Sequence, residues 1–200
     1  MKRLKIFGII AIAVIGAYFI YIHFDKVNKK DEVYNKFSTE YTLVDTNNKY
    51  KYSTIDEIID ILSNKTGIVF FCTPDSEWCQ YYALYLDKAT KDENVIISYL
   101  DIKDYREVNT IKYQKILELL DSYIYKDDSN NKKIFMPDLT FVNNGKIVAH
   151  NNDTSLVSSE ITPQEYWTNE RILSFKNEIT NGIIKMNEEI VEEEPTVEEN

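Results

Sequence analysis

The chain has 200 residues, two cysteines, two histidines and a formal net charge of −10. Two cysteines are too few for a disulfide scaffold, and a zinc site needs three or four ligands, so no metal or other cofactor is expected. The acidic balance argues against nucleic acid, whose phosphates require a basic footprint.

The charge is unevenly spread. Residues 1–30 hold six Lys/Arg against Asp25, whereas seven Glu and no basic residue follow from Asn187 onward. A basic tail, residues 1–5, precedes residues 6–24, which contain no acid or base except His23 at the edge. Such a run is long enough to cross about 30 Å of hydrocarbon as a helix. Its bulky end, Tyr18-Phe19-Ile20-Tyr21-Ile22, suits a membrane interface and not the small-residue end of a cleaved signal peptide. The sequence therefore predicts an uncleaved membrane anchor over 6–24. The short tail 1–5 stays in the cytoplasm and the rest of the chain lies outside it. Residues 25–47 read as a polar stalk, 48–186 as a folded domain, and 187–200 as an acidic tail of disordered composition.

Within the domain, residues 49–53 predict a short first strand. Thr54 with Glu57 three residues later forms a capping box ahead of Ile55, Ile58, Ile59 and Leu62 at helical spacing. The apolar run 68–71 predicts a buried central strand. A helix bearing Tyr82, Leu84, Tyr85, Leu86 and Ala89 follows, then a strand over 95–101 and one helix over 108–125. After a polar loop over 126–133, a strand begins at Pro137. Asn143-Asn144-Gly145 marks a tight turn into a second strand over 146–149. Thr162, Pro163 and Glu165 supply cap, N1 proline and N3 glutamate for one last helix running toward Met186. The order β-α-β-α-β-α-β-β-α predicts an α/β fold with a mixed central sheet flanked by helices.

The candidate site is the segment from Cys72 through Thr73-Pro74-Asp75-Ser76-Glu77-Trp78 to Cys79. It joins the central strand to a helix, and a thiol in a helix's first turn is favoured as thiolate by free N–H groups and the helix dipole. Asp75 or Ser76 serves as the helix cap. Glu77 complements the dipole but repels a nearby thiolate. Cys72 is either the second thiol of a Cys72–Cys79 pair or a small apolar residue closing the strand; pairing requires a Cα separation under about 7 Å. His150 reads as a solvated strand-end residue.

The element order, the Trp78-Cys79 junction, Met136-Pro137 ahead of a strand, and the Asn-Asn-Gly hairpin together resemble the thioredoxin-like superfamily over roughly residues 48–185. The segments 69–79 and 137–148 are similar to small bacterial thioredoxin-like proteins, some described as bacteriocin-transport accessory proteins. The resemblance implies a cis-proline at Pro137 facing the thiol site, with an exposed backbone edge suited to an extended peptide. It also places the family's nucleophilic cysteine at Ser76 and its buried acid at Phe70, so the usual CxxC turnover is lost and Cys79 alone remains of the motif. The resemblance thus implies a membrane-anchored thioredoxin-like protein with a degenerate site, in a thiol–disulfide-related or a peptide-binding, accessory role. Active thiol–disulfide exchange on a protein thiol, through Cys72 and Cys79, is the rival. So is a non-catalytic subunit of a secretion or transport system.

Overall fold

The computed structural model describes Ile15, Tyr18 and residues 36–189. Among these residues no helix is long and apolar enough to cross a membrane. The anchor expected over 6–24 lies outside the described residues apart from Ile15 and Tyr18, which are helical and exposed.

Among the described residues a five-stranded mixed sheet forms, in the order β1-β3-β2-β6-β7. These strands are β1 (Tyr50–Tyr52), β2 (Gly67–Cys72), β3 (Ile97–Asp101), β6 (Asp138–Asn143) and β7 (Lys146–Asn151). β3 runs parallel to both β1 and β2, and β6 is antiparallel to β2 and β7. Such a sheet is buried on both faces, which explains the unbroken apolar run of β2. One face packs Ile68, Phe70, Tyr99, Leu139 and Phe141 against α2 (Glu77–Thr90) and α6 (Asn169–Asn187). The other packs Val69, Phe71, Leu100 and Val142 against α1 (Ile55–Asn64) and α4 (Ile111–Leu119).

The predicted caps form. Thr54 and Glu57 close the box on α1; Thr162 and Glu165 do the same on α5 (Pro163–Tyr166). Asn144 (φ 48°) and Gly145 (φ 76°) make the hairpin turn. A Cβ at Gly145 would lie 2.1 Å from the Ser63 carbonyl oxygen, so both conformation and space demand glycine there.

Four expectations are corrected. The single helix predicted over 108–125 is instead α3 (Lys103–Val108) followed by α4. Asn109 at φ 53° breaks the run, and Thr110 recaps it by accepting from the Tyr113 N–H. The final helix is likewise split: Trp167 ends α5, and Thr168 caps α6. The polar loop 126–133 carries a two-strand ribbon, β4 (Tyr125–Lys126) with β5 (Lys132–Lys133). Packing also starts before residue 48. Residues 36–40 are helical, and Phe37, Tyr41 and Val44 are buried. Phe37 stacks on Tyr41 and Tyr50 at 4.3 and 3.9 Å between ring centres, and the Tyr41 hydroxyl donates to that of Tyr99 at 3.1 Å. The polar residues around Phe37 hide this aromatic face from a reading of composition.

α6 meets the sheet closely at Gly182, where a Cβ would lie 2.8 Å from the Phe141 ring. Gly182→Ala is expected to destabilise the domain by about 1–3 kcal/mol through overpacking, despite its better helix propensity. Chemical denaturation of the variant checks this.

Candidate functional site

β2 ends at Cys72 and α2 begins at Glu77, with Ser76 as its N-cap; the Ser76 hydroxyl accepts from the Cys79 N–H at 3.4 Å. Cys79 thus sits at the third helical position, seven residues after Cys72. Their Cα atoms are 5.7 Å apart and the two sulfurs are bonded. The pairing left open by the sequence therefore exists, and both residues are fully buried. The Thr73 N–H donates to Cys79 Sγ at 3.3 Å, and the Thr73 hydroxyl donates to Asp101 at 3.3 Å. Around the loop, Gln80 Nε2 donates to the carbonyls of Pro74 and Glu40, both at 2.8 Å. Lys103 pairs with the exposed Asp75 at 3.0 Å.

Met136–Pro137 is a cis peptide. Phe71 is in register with Asp138, so Pro137 stands abreast of the end of β2, beside the disulfide loop. Trp78, half-buried, projects its ring edge onto Tyr166 at 5.4 Å between centres. The structure therefore gathers Cys72, Ser76, Trp78, Cys79, Met136 and Pro137 at one end of the sheet. Glu77 lies on the exposed side of the first turn of α2.

Phe70, where the sequence resemblance would place a buried acid, is wholly buried among Tyr50, Tyr82 and Tyr99. A buried acid does occur one strand away. Asp138, directly after Pro137, is fully buried and meets His150 Nε2 at 3.1 Å, with the Thr140 hydroxyl at 3.5 Å. The expectation of a solvated His150 is corrected: its side chain is only 7 % exposed. Its ring lies 5.4 Å from that of Tyr123. The register shift between Phe141 and Val142 leaves His150 opposite Thr140, on the side of the sheet that carries Asp138. Nothing in a local reading of β7 marks that partner, twelve residues back along the chain.

On the far side of α2, burial pushes the Asp87 carboxyl up to about 6, with repulsion from Asp45 adding to it and three lysines opposing. The folded state thus binds this proton more tightly than the unfolded chain does. Its contribution is most favourable near pH 4 and is lost as pH rises to about 6. Asp87→Asn is expected to stabilise the protein at pH 7 by roughly 1–2 kcal/mol after allowance for solvent screening. The gain should vanish near pH 4 when urea unfolding of variant and parent is compared.

No family model matches the chain, and no curated protein matches it.

Proposed function

We propose that this chain is a membrane-anchored, thioredoxin-like protein whose domain lies outside the cytoplasm and binds extended peptide segments along the Met136–Pro137 edge. Its disulfide acts as a structural staple and not as a turnover centre. The observation that carries this reading is the bonded Cys72–Cys79 pair, both sulfurs wholly buried, where a redox protein would expose its first thiol. Ser76 caps α2 by accepting from the Cys79 N–H, and a serine hydroxyl acts as a nucleophile only when an adjacent base activates it. A disulfide also agrees with an oxidising compartment. The mixed α/β order, the cis-proline abreast of β2 and the helix opening after it support the family resemblance. The acidic composition offers nothing to nucleic acid.

One observation favours active exchange as a second reading. Cys79 Sγ accepts the Thr73 N–H near the N-terminus of α2, an environment that would stabilise a thiolate after reduction. The test is thiol accounting on the full chain with a maleimide label, together with an insulin-reduction assay. The structural reading expects no label on the native protein, labelling only after unfolding with reductant, and no catalysis. Turnover with a dithiol reductant that disappears in Cys79→Ala would select the second reading instead.

A further inference from the structure

The chain enters the domain at the end of the sheet that carries the disulfide loop. Lys36 Nζ lies 4.2 Å from the centre of the Tyr52 ring, at the end of β1, and the Tyr52 hydroxyl donates to Glu40 at 2.6 Å. Gln80 bridges the Glu40 and Pro74 carbonyls, so the entry segment abuts the loop between the two cysteines. β1, β2 and β3 run parallel, with Tyr52, Tyr99 and Phe70 in register, so all three strands finish at this end. α3 follows β3 here, and Lys103 pairs with Asp75. α4 opens beside the start of α1, where Lys112 pairs with Asp56 at 2.6 Å. Along the chain between those two lysines stand Val108 and Ile111, 74 % and 89 % exposed. They are the two most exposed large apolar side chains among the described residues.

The opposite end of the sheet is where the acidic tail departs. Asn143, beside the hairpin turn, donates to the Glu188 carbonyl at 2.7 Å and so fixes where the chain leaves α6. The seven Glu that follow Asn187 therefore start from the end far from Pro137. At the entry end, eleven residues, 25–35, separate the apolar run 6–24 from Lys36. Eleven residues reach at most about 40 Å whatever their conformation. A domain of about 150 residues is itself about 40 Å across. Turning the acidic end to a bilayer would thus demand a fully stretched tether laid along the whole domain. Every shorter path keeps the entry end nearest the lipid. Anionic headgroups would add repulsion of the glutamates to that cost, whereas exposed aliphatic side chains gain by leaving water for the headgroup layer.

Resting on the membrane-anchored reading above, we infer that the domain stands with its disulfide-loop end on the lipid surface, Val108 and Ile111 touching the headgroup layer, and its acidic end turned away. A peptide that reaches the Met136–Pro137 edge then has to come from within the tether's reach of the membrane. The test places the full chain in vesicles of phosphatidylcholine and phosphatidylglycerol, some of whose headgroups carry an energy-transfer acceptor. A donor dye sits on one introduced thiol, at Asp104→Cys in α3 or at Lys146→Cys at the start of β7. Both native sulfurs are bonded and buried, so only the introduced thiol takes the dye. The Asp104 position is expected to transfer energy at least about twice as efficiently, because the six-residue strands between the two ends set the dyes about 20 Å apart in depth. Val108→Ser with Ile111→Ser should bring the two efficiencies closer together while leaving the fold intact. An unchanged ratio in that pair overturns the headgroup contact. Equal efficiencies in the parent protein, or the reverse order, overturn the orientation but leave the anchored reading standing, provided the chain floats with the vesicles in a density gradient. A chain that fails to float overturns the anchored reading and this inference with it.

Discussion

Asp138→Ala is expected to cost about 3–5 kcal/mol of folding stability, enough to leave a domain of ordinary stability partly unfolded at 37 °C. Asp138 is fully buried and its strong partner is the ring of His150 at 3.1 Å. Removing the carboxylate strands an imidazole whose side chain is 7 % exposed beside the Tyr123 ring. The stranded polar group, and not the lost attraction, supplies most of the penalty. His150→Ala should cost a similar amount by the reverse logic, because it leaves a wholly buried carboxylate without its partner. The informative comparison is the double variant Asp138→Leu with His150→Leu. Replacing both groups by apolar side chains is expected to recover most of the loss, since a buried pair adds little net stability. Equilibrium urea unfolding of the three variants measures this. A double variant no better than either single one would show that Asp138 serves something besides its partner.

The second large effect belongs to the disulfide. The bond closes a loop with a sequence separation of seven residues. Chain-entropy arithmetic for so short a loop gives about 2–3 kcal/mol. Cys72→Ala with Cys79→Ala should lose that amount of unfolding free energy in denaturant titration, and added reductant should then change nothing. The parent protein should lose a similar amount when reduced. Its reduction should be slow under native conditions, because neither sulfur is exposed and an attacking thiolate must wait for the loop to open. Loss of native binding in the alanine pair, with stability corrected by a compensating substitution elsewhere, would tie the thiols to function.

Local signals were legible. The boxes at Thr54 and Thr162 and the Asn144-Gly145 turn are short-range rules that the backbone obeys, and of the two candidate caps, Asp75 and Ser76, the helix uses Ser76. The central strand was legible because both faces are buried. The break at Asn109 was not, because the apolar spacing of 108–125 continues through it and an αL asparagine carries no strong sequence mark. The cysteine pairing was a distance question that spacing alone could not answer, since strand end and helix turn admit several separations. The burial of His150 against Asp138 has no local signal, because their meeting depends on a register shift in the hairpin between them. The candidate residues come from the sequence, whereas the burial of Asp138 against His150 is visible only in the tertiary pairing.

The aromatic stack before β1 has a practical consequence for anyone cutting the gene. A fragment starting at residue 48, where composition changes, would strip Phe37 and Tyr41 from Tyr50 and Tyr99 and remove the Glu40 carbonyl from Gln80. Gln80 also holds the Pro74 carbonyl between the two cysteines, so the truncation reaches the disulfide loop without deleting any residue of it. Expression of the folded domain should begin no later than Lys36, and fragments starting later should be found in inclusion bodies with new apolar surface exposed.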